Sequence, residues 1–283
     1  TLLHWMPRKR SMADKTDFAA RYGPWGIVAG ASEGLGAQYA NQLAARGLNL
    51  VLVARREELL QSLSSELSKK YQVETKIIAL DLSAVDAAEQ IAQATNDLEI
   101  GLLIYNAAFS AIGPFLERPI DDHLKEIHTN AFTPLKLVYL FARRMLARGC
   151  GGIVLMSSLS AFQGSAYIST YAATKAFNIV LAEGLWEEWR QRGVDVLVCI
   201  SGAIRTPNYL ASEPEQTGGL GDMTMKPDQV VREALHALGK QPYVIPGRMN
   251  SISSFVMRHL LPRKATVKMM GRILRKMYAN NDG

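Results

Sequence analysis

The chain has 283 residues, 48% hydrophobic and 20% charged, a balance that excludes a disordered polypeptide and is enough for one large α/β domain. No apolar run approaches the ~18 residues of a membrane-spanning helix, and the two cysteines, Cys150 and Cys199, exclude a disulfide framework or a cysteine metal cluster. The net charge of +6 is uneven: residues 251–281 carry seven Lys or Arg and no acid, so the rest is near neutral, which argues against a nucleic-acid-binding face.

Residues 1–20 read as an irregular tail, with residues 1–11 standing ahead of a natural start at Met12. The tail lacks the apolar core of a signal peptide, so the expected location is cytoplasmic. From Trp25 onward, short β-rich runs alternate with helical patterns about a dozen residues long, which signals βαβ units and a parallel sheet. Trp25–Ala29 leads into a glycine turn and a helix from Gly34 to Arg46 that Gly47 ends. A largely apolar strand, Leu48–Ala54, precedes a helix at Arg56–Tyr71 with Leu59, Leu60, Leu63 and Leu67 on one side. Strands follow at Lys76–Leu80, Gly101–Tyr105, Gly152–Met156 and Val194–Ile200, and long helices fill 119–148 and 168–191. A helix at Pro227–Leu238 and a strand at Tyr243–Ile245 complete about seven strands in a three-layer, doubly wound αβα domain over residues 21–250. Residues 251–283 form a basic helical extension, and the aperiodic Ser201–Lys226 segment has the length of a functional loop.

Gly30-Ala31-Ser32-Glu33-Gly34-Leu35-Gly36 joins the first strand to its helix. Glycines there let backbone N–H groups approach a phosphate, and the helix N-terminus adds partial positive charge. Alone, such a turn is also simply a tight turn. The next strand ends at Ala54 with no acid to bind a ribose diol; Arg55 follows instead, and a guanidinium suits a 2′-phosphate, which favours NADP(H).

Tyr171-Ala-Ala-Thr-Lys175 places a phenol and an ammonium one helical turn apart, after a strand that runs into Ser157-Ser158. The spacing is cheap by chance, so position carries the argument: Ser158 and Tyr171 belong at one crevice at the carboxyl ends of the strands. Lys175 is expected to lower the phenol's pKa, Tyr171 to pass a proton to the substrate oxygen, and Ser158 to donate to that oxygen. The five histidines show no ligand spacing, and no metal is expected.

Taken in order, the Gly30/Gly34/Gly36 turn, Asp81-Leu82, Asn106-Ala107, Asn130, Ser158, Tyr171 with Lys175, and Gly202 with Thr206 resemble the short-chain dehydrogenase/reductase family from Tyr22 to Tyr243. The resemblance implies a Rossmann-type fold and further roles. Asp81 and Leu82 would contact adenine, and Asn106 and Ala107 would line the cofactor cleft. Asn130 would anchor a water in a proton relay through Lys175. Gly202, Ile204 and Thr206 would join the cofactor contacts, Thr206 at the nicotinamide end. Ala29, Tyr105, Ala108 and Ser201 depart from the family pattern. Tyr22-Gly23-Pro24-Trp25, Val73–Lys76 and Leu98–Gly101 look like the branch holding 17β-hydroxysteroid dehydrogenases and very-long-chain 3-oxoacyl-CoA reductases.

The expectation is therefore an NADP(H)-dependent oxidoreductase interconverting an apolar ketone and a secondary alcohol, working as a homodimer or homotetramer. Two readings compete: reduction of a 3-oxoacyl thioester, and a non-catalytic NADP sensor on the same fold. Phe162, Tyr167, Tyr209 and Leu210 suit an apolar substrate pocket or the core. The basic tail suits a cap over the substrate site, a dimer face, or peripheral contact with an anionic membrane.

Overall fold

The computed structural model describes residues 12–205 and 224–278, with side chains from residue 17. Seven parallel strands are arranged in the order β3-β2-β1-β4-β5-β6-β7. They are β1 (Trp25–Ala29), β2 (Asn49–Ala54), β3 (Thr75–Ala79), β4 (Ile100–Tyr105), β5 (Gly151–Ser158), β6 (Val194–Ser201) and β7 (Tyr243–Val244). The helices are α1 (Met12–Tyr22), α2 (Gly34–Ala44), α3 (Glu57–Tyr71), α4 (Ala87–Ala94), α5 (Ile120–Ile127), α6 (Thr133–Arg148), α7 (Ser169–Trp189), α8 (Pro227–Ala237), α9 (Arg248–His259) and α10 (Arg263–Tyr278).

Period-two alternation divides the core into two layers. Leu50 and Leu52 of β2 with Leu102 and Ile104 of β4 face α2, α3 and α8 through Tyr39, Leu43, Leu60 and Val231. Their neighbours Val51, Val53, Leu103 and Tyr105 face α4, α6 and α7 through Ile91, Phe141, Met145 and Ile179. Both faces are covered, so the strands are apolar at nearly every position. From β1 the chain winds outward to β3, then returns to the other side of β1 at β4. That reversal opens a crevice at the carboxyl ends of β1 and β4, where ligands bind in open α/β sheets.

Local chemistry sets the helix ends. Glu57 and Glu58 open α3 and Lys69 and Lys70 close it, each matching the helix dipole, and Gln72 stops it with φ +57°. Gly47 takes φ +86° just after α2. Strand edges fall within two residues of the sequence expectation. Three features do not follow it. The stretch assigned to an irregular tail, 1–20, contains most of α1. Helix α4 was not expected. The single helix expected over 119–148 carries a π turn at His128–Phe132 between α5 and α6.

Helix α1 is tied to the sheet through a buried carboxylate. Asp195 at the start of β6 accepts from Arg21 Nε at 2.7 Å, Arg21 Nη2 at 2.8 Å and the Tyr22 hydroxyl at 2.6 Å. The Tyr22 ring fits because its neighbour is Gly152, where a Cβ would lie 2.9 Å from the ring. Tyr22→Phe keeps the packing and removes one bond to a buried charge, so it is expected to cost about 1.5–3 kcal/mol. Urea unfolding checks this: the midpoint falls and the m-value stays.

Candidate active site

The glycine turn is built by close backbone approach. Gly30 N and Ala31 N donate to Val53 O at 2.8 and 3.1 Å, which binds the turn to the end of β2. Gly30 has φ +84°, and a Cβ at Gly36 would lie 1.8 Å from Gly30 O. Asn106 Nδ2 donates to the same carbonyl at 3.0 Å, and Asn106 N and Ala107 N donate to Ala29 O at 2.9 and 3.0 Å. Asn106 and Ala107 thus stand against the turn, Leu35 is buried below it, and Gly34 takes φ +58°. Ser32 and Glu33 occupy its outer lip.

On that lip the structure places an arginine that sequence reasoning did not name as a site residue. Arg56 Nη2 donates to Ser32 Oγ at 3.2 Å and pairs with Glu33 Oε1 at 2.5 Å. Arg55 points elsewhere: it is exposed, and its charge is felt by Asp81. The available signal was the doublet Arg55-Arg56 itself. Burial pushes the Asp81 carboxyl up, but hydrogen bonds from Ser83 N and Oγ, with Lys125 and Arg55, outweigh it and hold the carboxyl below its usual value. Leu82 is buried, its carbonyl accepting from Thr133 Oγ1 at 2.9 Å.

Asn130 is buried in the π turn. Such a turn breaks the regular helical ladder and leaves carbonyls in need of donors. Asn178 Nδ2 donates to Asn130 O at 3.0 Å, and the Tyr105 hydroxyl donates to Thr129 O at 2.5 Å. Asn130 Oδ1 accepts from Phe109 N at 2.9 Å, and its Nδ2 donates to Phe109 O at 2.8 Å and Thr174 Oγ1 at 3.2 Å. The residue fixes both the loop after β4 and helix α7.

Ser158 ends β5 and caps the short turn Leu159–Phe162, its hydroxyl accepting from Ser160 Oγ at 3.0 Å. Ser157 Oγ donates to Lys175 O at 2.8 Å, which clamps the end of β5 onto α7. Ser158 also reaches the Tyr171 phenol. Lys175, 3% exposed, donates from Nζ to Met156 O at 3.1 Å, with Nζ 5.6 Å from the centre of the Tyr171 ring.

The electrostatics correct one expectation. Burial raises the Tyr171 phenol to about 12; the Ser158 bond opposes this, and Glu126 and Tyr278 add to it. Burial also depresses the lysine to about 8, and its ammonium donates to the Met156 carbonyl. Glu126 was not expected in the site. Its carboxylate is buried, raised by that burial, and accepts from Ala111 N at 2.7 Å. A lone acid on an amphipathic helix gave no signal. His123, one turn earlier, bonds Thr170 Oγ1 at 2.8 Å and Phe115 O at 3.0 Å.

Ile204 is buried in a bridge to Met225, and Gly202 abuts the Asn250 side chain. Thr206, Tyr209 and Leu210 lie outside the described residues, as does most of the 201–226 loop. Phe162 lies under the Arg258 guanidinium at 4.2 Å, and Tyr167 takes φ +65°. The basic tail folds as α9 and α10. Helix α10 meets the loop after β5 where Gly271 faces Ala166, and Tyr278 at its end acts electrostatically on Tyr171. Among the described residues, no helix is long and apolar enough to cross a membrane.

The profile of the short chain dehydrogenase family matches residues 25–217. A 7β-hydroxysteroid dehydrogenase of Mediterraneibacter gnavus is 35% identical over 237 residues, covering 82% of this chain and 89% of the relative. A very-long-chain 3-oxoacyl-CoA reductase of Bos taurus is 33% identical, covering 77% and 70%. A structure solved in a study of 7β-hydroxysteroid dehydrogenase stereoselectivity superposes with TM-score 0.84 at 32% identity, over 89% of this chain and 98% of that one. A short-chain dehydrogenase of Sphingobium yanoikuyae in complex with NADPH gives 0.72 at 29%, over 79% and 87%.

Proposed function

The chain belongs to the short-chain dehydrogenase family of oxidoreductases, and on that premise we propose that it interconverts an apolar ketone and a secondary alcohol with NADP(H), Tyr171 carrying the proton. One observation supports this above the others: a buried lysine, a phenol and a serine hydroxyl meet at the carboxyl end of β5, where α7 begins.

The turn fits a dinucleotide, because Gly30 and Gly36 leave backbone where side chains would stand and Arg56 adds a cation at its lip. Gly30, Ser32, Glu33, Gly34, Leu35, Gly36, Arg55, Arg56, Asp81, Leu82, Asn106, Ala107, Lys175, Gly202 and Ile204 are the described residues proposed to hold the cofactor, which supplies the hydride when bound. The Arg55-Arg56 pair and the NADPH-bound relative support the phosphorylated form. Ser158 donates to the substrate oxygen and holds it beside Tyr171. The phenol keeps its proton throughout neutral pH, being raised to about 12, and gives it up as negative charge develops on that oxygen. Lys175 faces the ring with its positive charge and stabilises the phenolate that remains.

A pH profile tests the assignment. Lys175, depressed to about 8, loses its charge as pH rises through that value, while Tyr171 stays protonated. The reductive kcat/KM is therefore expected to fall about tenfold per pH unit above about pH 8, with no further limb near 10. Lys175→Arg should remove the limb. A flat profile from about pH 7 to 10 would exclude the lysine charge from the mechanism.

Steroid, 3-oxoacyl-thioester and simple ketone panels, followed by NADPH absorbance, identify the substrate class. The Bos taurus relative favours the thioester as the second reading. Phe132 at the end of the π turn, Tyr139 on α6 and Phe177 on α7 leave exposed apolar surface, which we assign to self-association as a homodimer or homotetramer. Light scattering giving the mass of a single chain at micromolar concentration would remove that assignment.

A further inference from the structure

A cavity of about 380 Å³ lies between α7, the turn after β5 and the two C-terminal helices. Its size falls within the range of small-molecule sites, about 300–1,000 Å³. None of Asn130, Ser158, Tyr171 or Lys175 lines it. Phe162, Ile179, Met257 and Leu261 give apolar walls. Arg258 and Arg263 line it from exposed positions on α9 and α10, and the Arg258 guanidinium lies over the Phe162 ring. Glu183 is the one acid in the lining and is also exposed, so cations outnumber it at the mouth.

Gln163 marks the cavity as more than an apolar gap. It is 5% exposed, it lines the cavity, and its Nε2 meets no hydrogen-bond acceptor among the described residues. A buried amide donor left unpaired is destabilising, so a chain that keeps one beside a cavity is suited to an acceptor arriving from outside. The hydroxyls of Ser165, two residues along, and Ser254, one helical turn before Arg258, are also buried without partners. The contact between the loop after β5 and α9 is thus short of acceptors and donors on both sides.

We infer that this cavity binds an anionic amphiphile, a free medium-chain carboxylate, with its chain along Phe162, Ile179, Met257 and Leu261 and its carboxylate among Arg258, Arg263 and the Gln163 amide. Apolar walls under a cationic mouth require both properties in one ligand. A neutral lipid leaves the arginines and the amide unanswered, and a small inorganic anion leaves the walls wet. The site is independent of hydride transfer and stands or falls apart from it.

Calorimetric titration of the full chain with decanoate, below its micelle concentration, tests this, with decanol as the uncharged control. Decanoate is expected to bind at a single site and decanol much more weakly. Arg258→Met with Arg263→Met should weaken decanoate about tenfold or more. Lys264→Met with Lys268→Met removes the same charge outside the cavity and should leave binding unchanged. Gln163→Leu should weaken decanoate while leaving the melting temperature equal or higher, since it relieves an unpaired amide. Tyr171→Phe should bind decanoate as the parent does, which separates this site from the catalytic one. No decanoate binding, equal binding of decanol, or binding unaffected by the arginine pair or by Gln163→Leu would each overturn the assignment. So would flotation with phosphatidylglycerol vesicles that depends on the two arginines without any uptake of free decanoate, because the cations then serve a lipid surface.

Discussion

Tyr171→Phe is expected to lower turnover by about 10³-fold, the middle of the range contributed by a positioned general acid, while NADPH binding stays as it is. The change removes one hydroxyl. The ring keeps its place on α7 above Lys175, so the packing of that helix is untouched. Phosphate recognition is proposed for the turn at Gly30–Gly36, which is held by Val53 and Asn106. What disappears is the proton that the structure keeps on Tyr171 up to about pH 12. With the phenol gone, negative charge on the substrate oxygen is met only by Ser158. Single-turnover rates with NADPH, alongside a fluorescence titration of the cofactor, separate chemistry from binding. Near-normal turnover would take the tyrosine out of the mechanism, and a parallel loss of NADPH binding would show that it acts on the cofactor instead.

Replacing Arg55 and Arg56 together by alanine is expected to weaken NADPH about 10²-fold and to leave NADH within about threefold. Hydrogen bonds to a charged partner contribute about 1.5–3 kcal/mol each, and an exposed site realises the lower end. The stability of the chain should not suffer. The Arg56–Glu33 pair is half exposed, and such pairs contribute about 0–1 kcal/mol. The single variants then divide the effect: Arg56 stands on the lip of the turn beside Ser32, whereas Arg55 stands nearer Asp81. Dissociation constants for both cofactors measured on all three variants decide it. An equal loss for NADPH and NADH would refute 2′-phosphate recognition by this pair.

The sheet was legible in the sequence because its physics is local and repetitive. Leu50–Ala54 and Leu102–Tyr105 are apolar at almost every position, and a glycine turn with φ > 0 follows the first strand. The π turn at His128–Phe132 was not legible. It depends on donors from distant residues, Tyr105 and Asn178, and leaves the helical period on either side unchanged. Helix α1 was read as tail because its decisive partner, Asp195, is 173 residues from Tyr22. In the site, residue types and order gave Ser158, Tyr171 and Lys175, but side-chain directions did not follow. Lys175 bonds to the Met156 carbonyl, and Arg56 rather than Arg55 faces the glycine turn, because both outcomes turn on which neighbour lies within a few ångströms. Glu126 and Tyr278 entered only with tertiary structure.

The position of β1 in the middle of the sheet carries a consequence for how the protein is born. Its two partners are β2 and β4, with Trp25 set against Asn49 on one side and Ile100 on the other. A ribosome must therefore deliver roughly 75 residues beyond β1 before the central strand gains its second neighbour. Until then β1 offers a bare, greasy margin to the cell. Parallel pairings of such long range form slowly and favour clumping while they wait. Yield in a recombinant host should respond more to growth temperature and to chaperone supply than to any change on the finished surface.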